Sequence, residues 1–302
     1  MKIVSAGKLS FVFGGLLAIS LAAHAEGNSI SVSPSATSIK YSGSNVRDKA
    51  HEYGIDLDGT IGDAGIRTVY GRSVVSYKLG IPVLHQDHYF LRGSYKFTNV
   101  ASGTVTTGLN YTYVANDDST HNTDGVKAYQ PTVSYISNDG ALYLDLGYAE
   151  TKYGGIGSLK VTQWTPTIGT SLNDGYDWVQ ARAFLIHVAA SSPLTLASRA
   201  QNKSNTSAID LSWTHYLQDK PWGLASVGLN VLVGERIYAV NGDGGSLSNL
   251  ADIHKGSVSL SANWSLPGDW NLSTMVSEQK FQEAVSHRYT MRFGYVGLSK
   301  KF

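Results

Sequence analysis

The sequence predicts an all-β fold, a transmembrane antiparallel up-and-down β-barrel of about 14 strands, with 12 and 16 as the neighbouring even counts. Three observations lead there. From about Ser31 onward the chain divides into segments of roughly 9 to 15 residues in which apolar and polar side chains alternate with period two. Short turns and longer polar loops interleave strictly between those segments. The apolar face of several segments ends in Tyr or Trp, side chains that favour a position half in lipid and half in water.

The N-terminus predicts export. Lys2 and Lys8 form a basic start, residues 11–23 are an apolar run, and Ala23-His24-Ala25 is a small-x-small pattern, so cleavage is expected after Ala25. Residues 1–25 are then a signal peptide and residues 26–302 one barrel domain. Removing Lys2 and Lys8 leaves 22 basic against 23 acidic residues, a charge of −1 that gives no footprint for nucleic acid. No later apolar run approaches the roughly 18 to 20 residues of a spanning helix. The chain has no cysteine, although exported proteins form disulfides readily.

The short turns are Gly62-Asp63-Ala64-Gly65, Asn99-Val100-Ala101-Ser102, Ser137-Asn138-Asp139-Gly140, Asn173-Asp174-Gly175, Gln218-Asp219-Lys220-Pro221 and Pro267-Gly268-Asp269. The longer or more polar connections fall near residues 43–48, 81–86, 115–124, 152–157, 192–203, 240–255 and 281–285. Short turns on one side of a membrane and longer loops on the other are characteristic of transmembrane barrels, here with both termini on the periplasmic side. The faces follow from alternation. Val258, Leu260, Ala262, Trp264 and Leu266 oppose Ser259, Ser261, Asn263 and Ser265; Leu142, Leu144 and Leu146 oppose Tyr143 and Asp145; Tyr89, Leu91, Tyr95 and Phe97 oppose Arg92, Ser94 and Lys96. The polar faces carry Ser, Thr, Asn, Gln and Gly as well as charge, as a wet lumen requires.

The last stretch, SHRYTMRFGYVGLSKKF, ends on Phe302 with Leu298 and Val296 at alternate positions before it. It resembles the C-terminal assembly signal of Gram-negative outer-membrane β-barrels, with Lys300 where an apolar or aromatic residue is usual. The resemblance implies the bacterial outer membrane as location, and outer-membrane lipids and the barrel assembly machinery as partners. Upstream, Tyr289, Met291, Phe293 and Tyr295 form an aromatic face of opposite parity. Placing that face toward lipid predicts a bulge or a register change near Gly297.

With the apolar faces toward lipid, Lys40, Arg72, Lys78, Arg92, Lys96, Arg182 and Arg292 are expected inside, opposed by Glu52, Asp56, Asp58, Asp145 and Asp210. Charges spread around a closed sheet set which ions enter a channel, and the slight cationic excess implies a weak preference for anions. A structural ladder pairing Asp56 and Asp58 with Arg72 and Arg92, and Arg182 with Asp210, is compatible with that role. Too few residues separate Glu26 from the first strand for a globular plug, and no long inward-folding loop is evident. By size the chain looks like the monomeric porins of about 14 strands, which implies passive diffusion of small polar solutes through a monomer. No cofactor is expected.

The rival function is a barrel that does not conduct: an envelope scaffold, an adhesin, or a lipid-modifying enzyme. For the last, His187 and Ser207 fall on the outer face of adjacent segments, as a hydroxyl nucleophile and its imidazole base would. His85 and His88, three apart, and the acidic loop Asp117, Asp118, His121, Asp124 offer no spacing specific to a metal. Gly154, Gly155 and Gly157 read as a turn rather than a phosphate loop.

Overall fold

The computed structural model describes residues 28–117, 124–153, 159–189, 203–219, 221–247, 252–283 and 287–302. The expected signal peptide lies outside the described residues, as do Asp118 and His121 of the acidic loop and Gly154, Gly155 and Gly157.

The strands are β1 (Ser29–Ser42), β2 (Arg47–Ile61), β3 (Ala64–Tyr77), β4 (Leu84–Val100), β5 (Gly103–Asn116), β6 (Val126–Ser137), β7 (Leu142–Lys152), β8 (Lys160–Leu172), β9 (Asp177–Ala189), β10 (Asn205–Tyr216), β11 (Leu224–Arg236), β12 (Val240–Asn241), β13 (Ser246–Leu247), β14 (Ile253–Leu266), β15 (Trp270–Glu283) and β16 (His287–Lys301). Fourteen of them form one closed antiparallel barrel in sequential order, with β14 beside β11 and β16 sealing onto β1; β12 and β13 make a separate small hairpin. The seam runs from Ser31 opposite Lys301 to Ser42 opposite Thr290. Reciprocal backbone bonds between Ile30 and Phe302, 3.4 and 2.8 Å, finish it. Closure leaves no sheet edge, the one way a β-structure satisfies its backbone in hydrocarbon.

Large apolar side chains cover the outside: Leu144, Leu146, Ile168, Leu185, Ile209, Leu211, Val258, Leu260 and Val276 are all exposed. Aromatic pairs border this band. Tyr70, Tyr89 and Tyr113 form a row with centroids 5.3 and 6.1 Å apart, and Tyr148 meets Trp164 at 4.8 Å, all toward the long-loop end. Tyr95–Phe97, Trp264 and Trp270 stand toward the short-turn end. Such belts mark the two interfaces of a bilayer.

One correction concerns the last strand. β16 pairs with β15 from Trp270 opposite Lys300 to Glu283 opposite His287 with no register shift, so there is no bulge near Gly297. Its parity is single throughout. Val296, Leu298 and Lys300 share the outer face, and Tyr289, Met291, Phe293 and Tyr295 point into the barrel. Tyr289 is buried there beside Tyr41 and Phe281. Aromatic content marked the wrong face because this barrel fills part of its own interior.

The β4–β5 turn carries backbone strain. Ala101 and Ser102 both lie in the left-handed region, φ 48° and 57°, the conformation for which Asn-Gly is the preferred pair. Replacing the two by Asn-Gly is expected to stabilise the barrel by about 1–2 kcal/mol. The readout is a higher temperature for loss of the compact, fast-migrating form in detergent gels.

Candidate functional site

The segment between β11 and β14 turns into the lumen, contrary to the expectation of an outward loop at residues 240–255. Two irregularities start it on that course. The ladder shifts between Val233 and Arg236, where Gly234 has φ 112°, and again between His254 and Gly256, where Gly256 has φ 143°. These bulges bend the strand ends and aim Arg236 and His254 inward. The root of the inserted segment is apolar. Ile237, Tyr238, Ala239, Val240 and Leu247 pack into one buried cluster with Val114, Val126, Phe184, Ile186, Val188, Ala208 and Leu232 from the inner wall.

The tip is polar and reaches the middle of the lumen. Gln163 holds Val240 at both backbone groups, its Nε2 donating to the carbonyl at 2.7 Å and its Oε1 accepting from the N–H at 3.0 Å. Gly242 lies so close to Gln130 and Asn110 that a Cβ would collide with both, and a Cβ on Gly245 would come 2.8 Å from the Phe90 ring. Arg67 donates to the Asp243 carbonyl at 2.5 Å, and Arg182 forms an ion pair with the Asp243 carboxylate. Contacts from β3, β4, β5, β6, β8 and β9 therefore converge on a single hairpin.

Magnitudes decide what keeps it docked. Each fully buried large apolar side chain at the root contributes about 1.5–3 kcal/mol. The Asp243 side chain remains 63% exposed, and an ion pair so exposed contributes at most about 1 kcal/mol. The greasy root holds the hairpin in place, and the charged tip sets the potential of the narrowing.

Below the tip, a small polar pocket of about 40 Å³ is lined by Arg92, Arg182, Asp145, Asp243, Asn110, Gln130 and Tyr143, among others. Arg67 closes on Asp56 through Nε at 3.0–3.1 Å and Nη2 at 2.6 Å. Toward the short turns many inward positions are small and polar, among them Ser31, Ser33, Ser94, Thr106, Ser134, Ser212, Thr214, Ser226, Ser261, Asn263 and Ser273, beside the larger Asp58, Lys96, Tyr143 and Trp178. Ser226 accepts from Asn263 at 3.0 Å. The lumen thus has two halves, one packed around the hairpin and one in which hydroxyls and amides alternate with charges and a few aromatic rings.

Of the charges expected inside, Glu52, Asp56, Asp58, Arg92, Lys96, Asp145, Arg182 and Asp210 have inward parity, shared across the ladder with the residues that touch the hairpin. Three others do not. Arg72 stands opposite Asp87, 3.9 Å away, on the outer face beside Tyr70, whose hydroxyl donates to the same carboxylate at 2.9 Å. Arg292 stands outside against Glu278 at 2.8 Å, and Lys40, directly opposite Arg292 in the seam, shares that face. All three lie toward the long-loop end, where long cationic side chains reach the headgroup region from an apolar wall. Lys78, just past β3, donates to the Ser44 carbonyl at 2.7 Å.

The expected pairings also change. Asp56 pairs with Arg67 instead of Arg72. Arg182 faces Asp210 across the ladder yet pairs with Asp243, while Asp210 accepts from Asn230. Arg67 and Asp243 are the residues that sequence reasoning missed. Arg67 was within reach: the tight turn after Ile61 places Asp58 opposite Arg67, so an inward Asp58 requires an inward Arg67. Asp243 carries no local signal, because the direction of a loop is a tertiary property.

The outer wall gives the hydrolase reading little geometry. His187 lies opposite Asn205, and its Nδ1 is 2.9 Å from the Asn205 side-chain oxygen, whereas Ser207 lies opposite Leu185. His85 and His88 fall on opposite faces of β4. His85 bonds Asp117 at 2.8 Å, and His88 is turned inward.

At the external rim a buried network ties the seam to the hairpin's exit. Arg47 pairs with Asp252 and, at 3.5 Å, with Glu283. Glu283 also accepts from Ser44 Oγ at 2.9 Å and from the Asn45 N–H at 2.6 Å, and Tyr289 donates to Asp252 at 2.8 Å. Burial raises the Asp252 carboxyl above its ordinary range while Arg47 pulls it back down.

No family model matches the sequence, and a search of curated proteins finds no match. Solved structures do match. The Ralstonia pickettii toluene transporter TbuX aligns with a TM-score of 0.57 at 10% identity over 92% of this chain and 90% of that one. The chain has the fold of the outer-membrane β-barrels. The Pseudomonas putida toluene transporter TodX aligns with a TM-score of 0.50, also at 10% identity, over 93% of this chain and 90% of that one. At such identities the likeness is one of fold.

Proposed function

We propose that the protein is a channel of the bacterial outer membrane through which small hydrophilic solutes or ions diffuse passively. The single observation that carries this reading is the lumen itself. A closed cylinder with an apolar exterior encloses hydroxyls, amides and both signs of charge, and its narrowing is built from Asp243, Arg67, Arg92, Arg182 and Asp145. Low-dielectric walls focus the field of such charges, so they decide which ions pass. Glu52, Asp56, Asp58, Lys96 and Asp210 extend the charged lining above and below the narrowing. In this reading the chain is exported by a signal cleaved after Ala25, is inserted by the barrel assembly machinery with Val296, Leu298 and Phe302 as its signal, and works as a monomer without catalysis.

The hairpin that fills the external half of the lumen favours the second reading, a barrel that does not conduct. Single-channel recording in planar bilayers separates the two. Stepwise currents are expected, and Asp243→Asn should move the reversal potential in a salt gradient toward anions, because it removes the one carboxylate on the tip while leaving the apolar root docked. Silence of the wild-type protein, together with silence after the hairpin is removed, would overturn the channel.

A further inference from the structure

Between the docked hairpin and the inner wall of β1–β4 and β14–β16 lies a second space, a cavity of about 270 Å³ toward the long-loop end. Its lining divides by chemistry. Tyr41, Val75, Leu247, Phe281 and Met291 give it an apolar, partly aromatic body. At the hairpin root it is bounded by Arg236, whose guanidinium lies 5.0 Å over the Phe184 ring.

Arg236 differs from its neighbours. Arg47, Arg67 and Arg182 each form an ion pair with a carboxylate. Among the described residues Arg236 forms none, and its Nε donates instead to Nδ1 of His254 at 3.0 Å. That bond makes Nδ1 an acceptor, so the His254 proton sits on Nε2 and goes to the Gly256 carbonyl at 3.1 Å. His254 is thereby a neutral prop, stacked on Phe281 at 4.7 Å, and it does not cancel the charge. A guanidinium does not lose its proton, and Asp210, a carboxylate whose field reaches it, is bonded to Asn230 and forms no ion pair with it, which leaves the charge open to a further anion. On the far wall stands Glu52, hydrogen-bonded to Ser73 and the one carboxylate among the lining residues.

We propose that this cavity binds a small organic monocarboxylate with an apolar, ring-sized body. Arg236 receives the carboxylate, the Tyr41–Phe281–Met291 side receives the body, and Glu52 disfavours a second negative charge. The proposal deepens the channel reading and rests on it for the meaning of the site, but binding is measured without reference to conduction.

The test is calorimetric titration of the full-length mature barrel in detergent with phenylacetate, with toluene as its uncharged counterpart and phthalate as a dianion. Phenylacetate should bind at least about tenfold more tightly than either, the scale of one charge-assisted hydrogen bond. Arg236→Gln should lose that advantage and Arg236→Lys should keep most of it. Glu52→Gln should strengthen phthalate binding. Equal affinity for toluene and phenylacetate, no binding by the wild type, or unchanged phenylacetate affinity in an Arg236→Gln barrel that still shows heat-modifiable migration would each overturn the assignment. Currents without phenylacetate binding sink this site alone, and binding without currents sinks the channel alone.

Discussion

Replacing residues 240–247 by a short Gly-Ser linker is expected to raise single-channel conductance several-fold and to change the ion selectivity of the pore. The barrel wall does not depend on the hairpin, since every strand of the closed sheet is paired with two neighbours that are themselves barrel strands. The insert is the structure that narrows the outer half. Its removal also takes away Asp243, leaving Arg182 without its carboxylate and Arg67 with Asp56 alone. Selectivity should therefore shift toward anions as the current grows. Planar-bilayer recording of linker and wild-type proteins in a salt gradient reads both quantities together. A linker variant that folds, by heat-modifiable migration, yet conducts no better than wild type would show that the hairpin is not the limiting constriction.

Arg47→Met is expected to destabilise the barrel by about 3–5 kcal/mol, the range for removing one partner of a buried charge network. The Arg47, Asp252 and Glu283 side chains are all about nine-tenths buried, so the two carboxylates lose their cation in a place water reaches poorly. The apolar replacement keeps most of the volume, so the loss reports charge rather than a cavity. Adding Asp252→Asn should recover part of it by removing one orphaned anion. Urea titration of detergent-solubilised protein, followed by tryptophan fluorescence, measures both steps. A single variant within about 1 kcal/mol of wild type would mean that the carboxylates are neutralised some other way.

Much of the wall was legible because its constraints are local. Period-two alternation in residues 142–148 and 258–266 has one strong reading when lipid lies on one side and water on the other. Turn residues then fixed where each hairpin reverses. The interior was less legible for a physical reason. Where the hairpin docks, the inner face must be apolar as well, so β3, with Val69 and Val75 inside and Ile66 and Tyr70 outside, has no clean alternation. Alternation places Arg72 inward on that strand, and Arg292 on β16, by the same failure: a filled lumen removes the polarity contrast on which face assignment relies. Counting from the tight turns would have corrected Arg72, since register transmits parity from a readable strand to an ambiguous one. The insertion itself was beyond local reading. Val-Asn-Gly-Asp-Gly-Gly-Ser has the composition of any exposed loop, and only the buried company of Gln163, Gln130 and Asn110 reveals its place.

The two halves of the lumen differ in more than chemistry. A body approaching from the long-loop side meets the hairpin early, whereas one arriving from the short-turn side passes a stretch of hydrogen-bonding groups before it is stopped. Equilibrium fluxes are indifferent to that shape, but residence is not. Polar visitors entering from below find partners with which to linger, and those entering from above are turned away at the door.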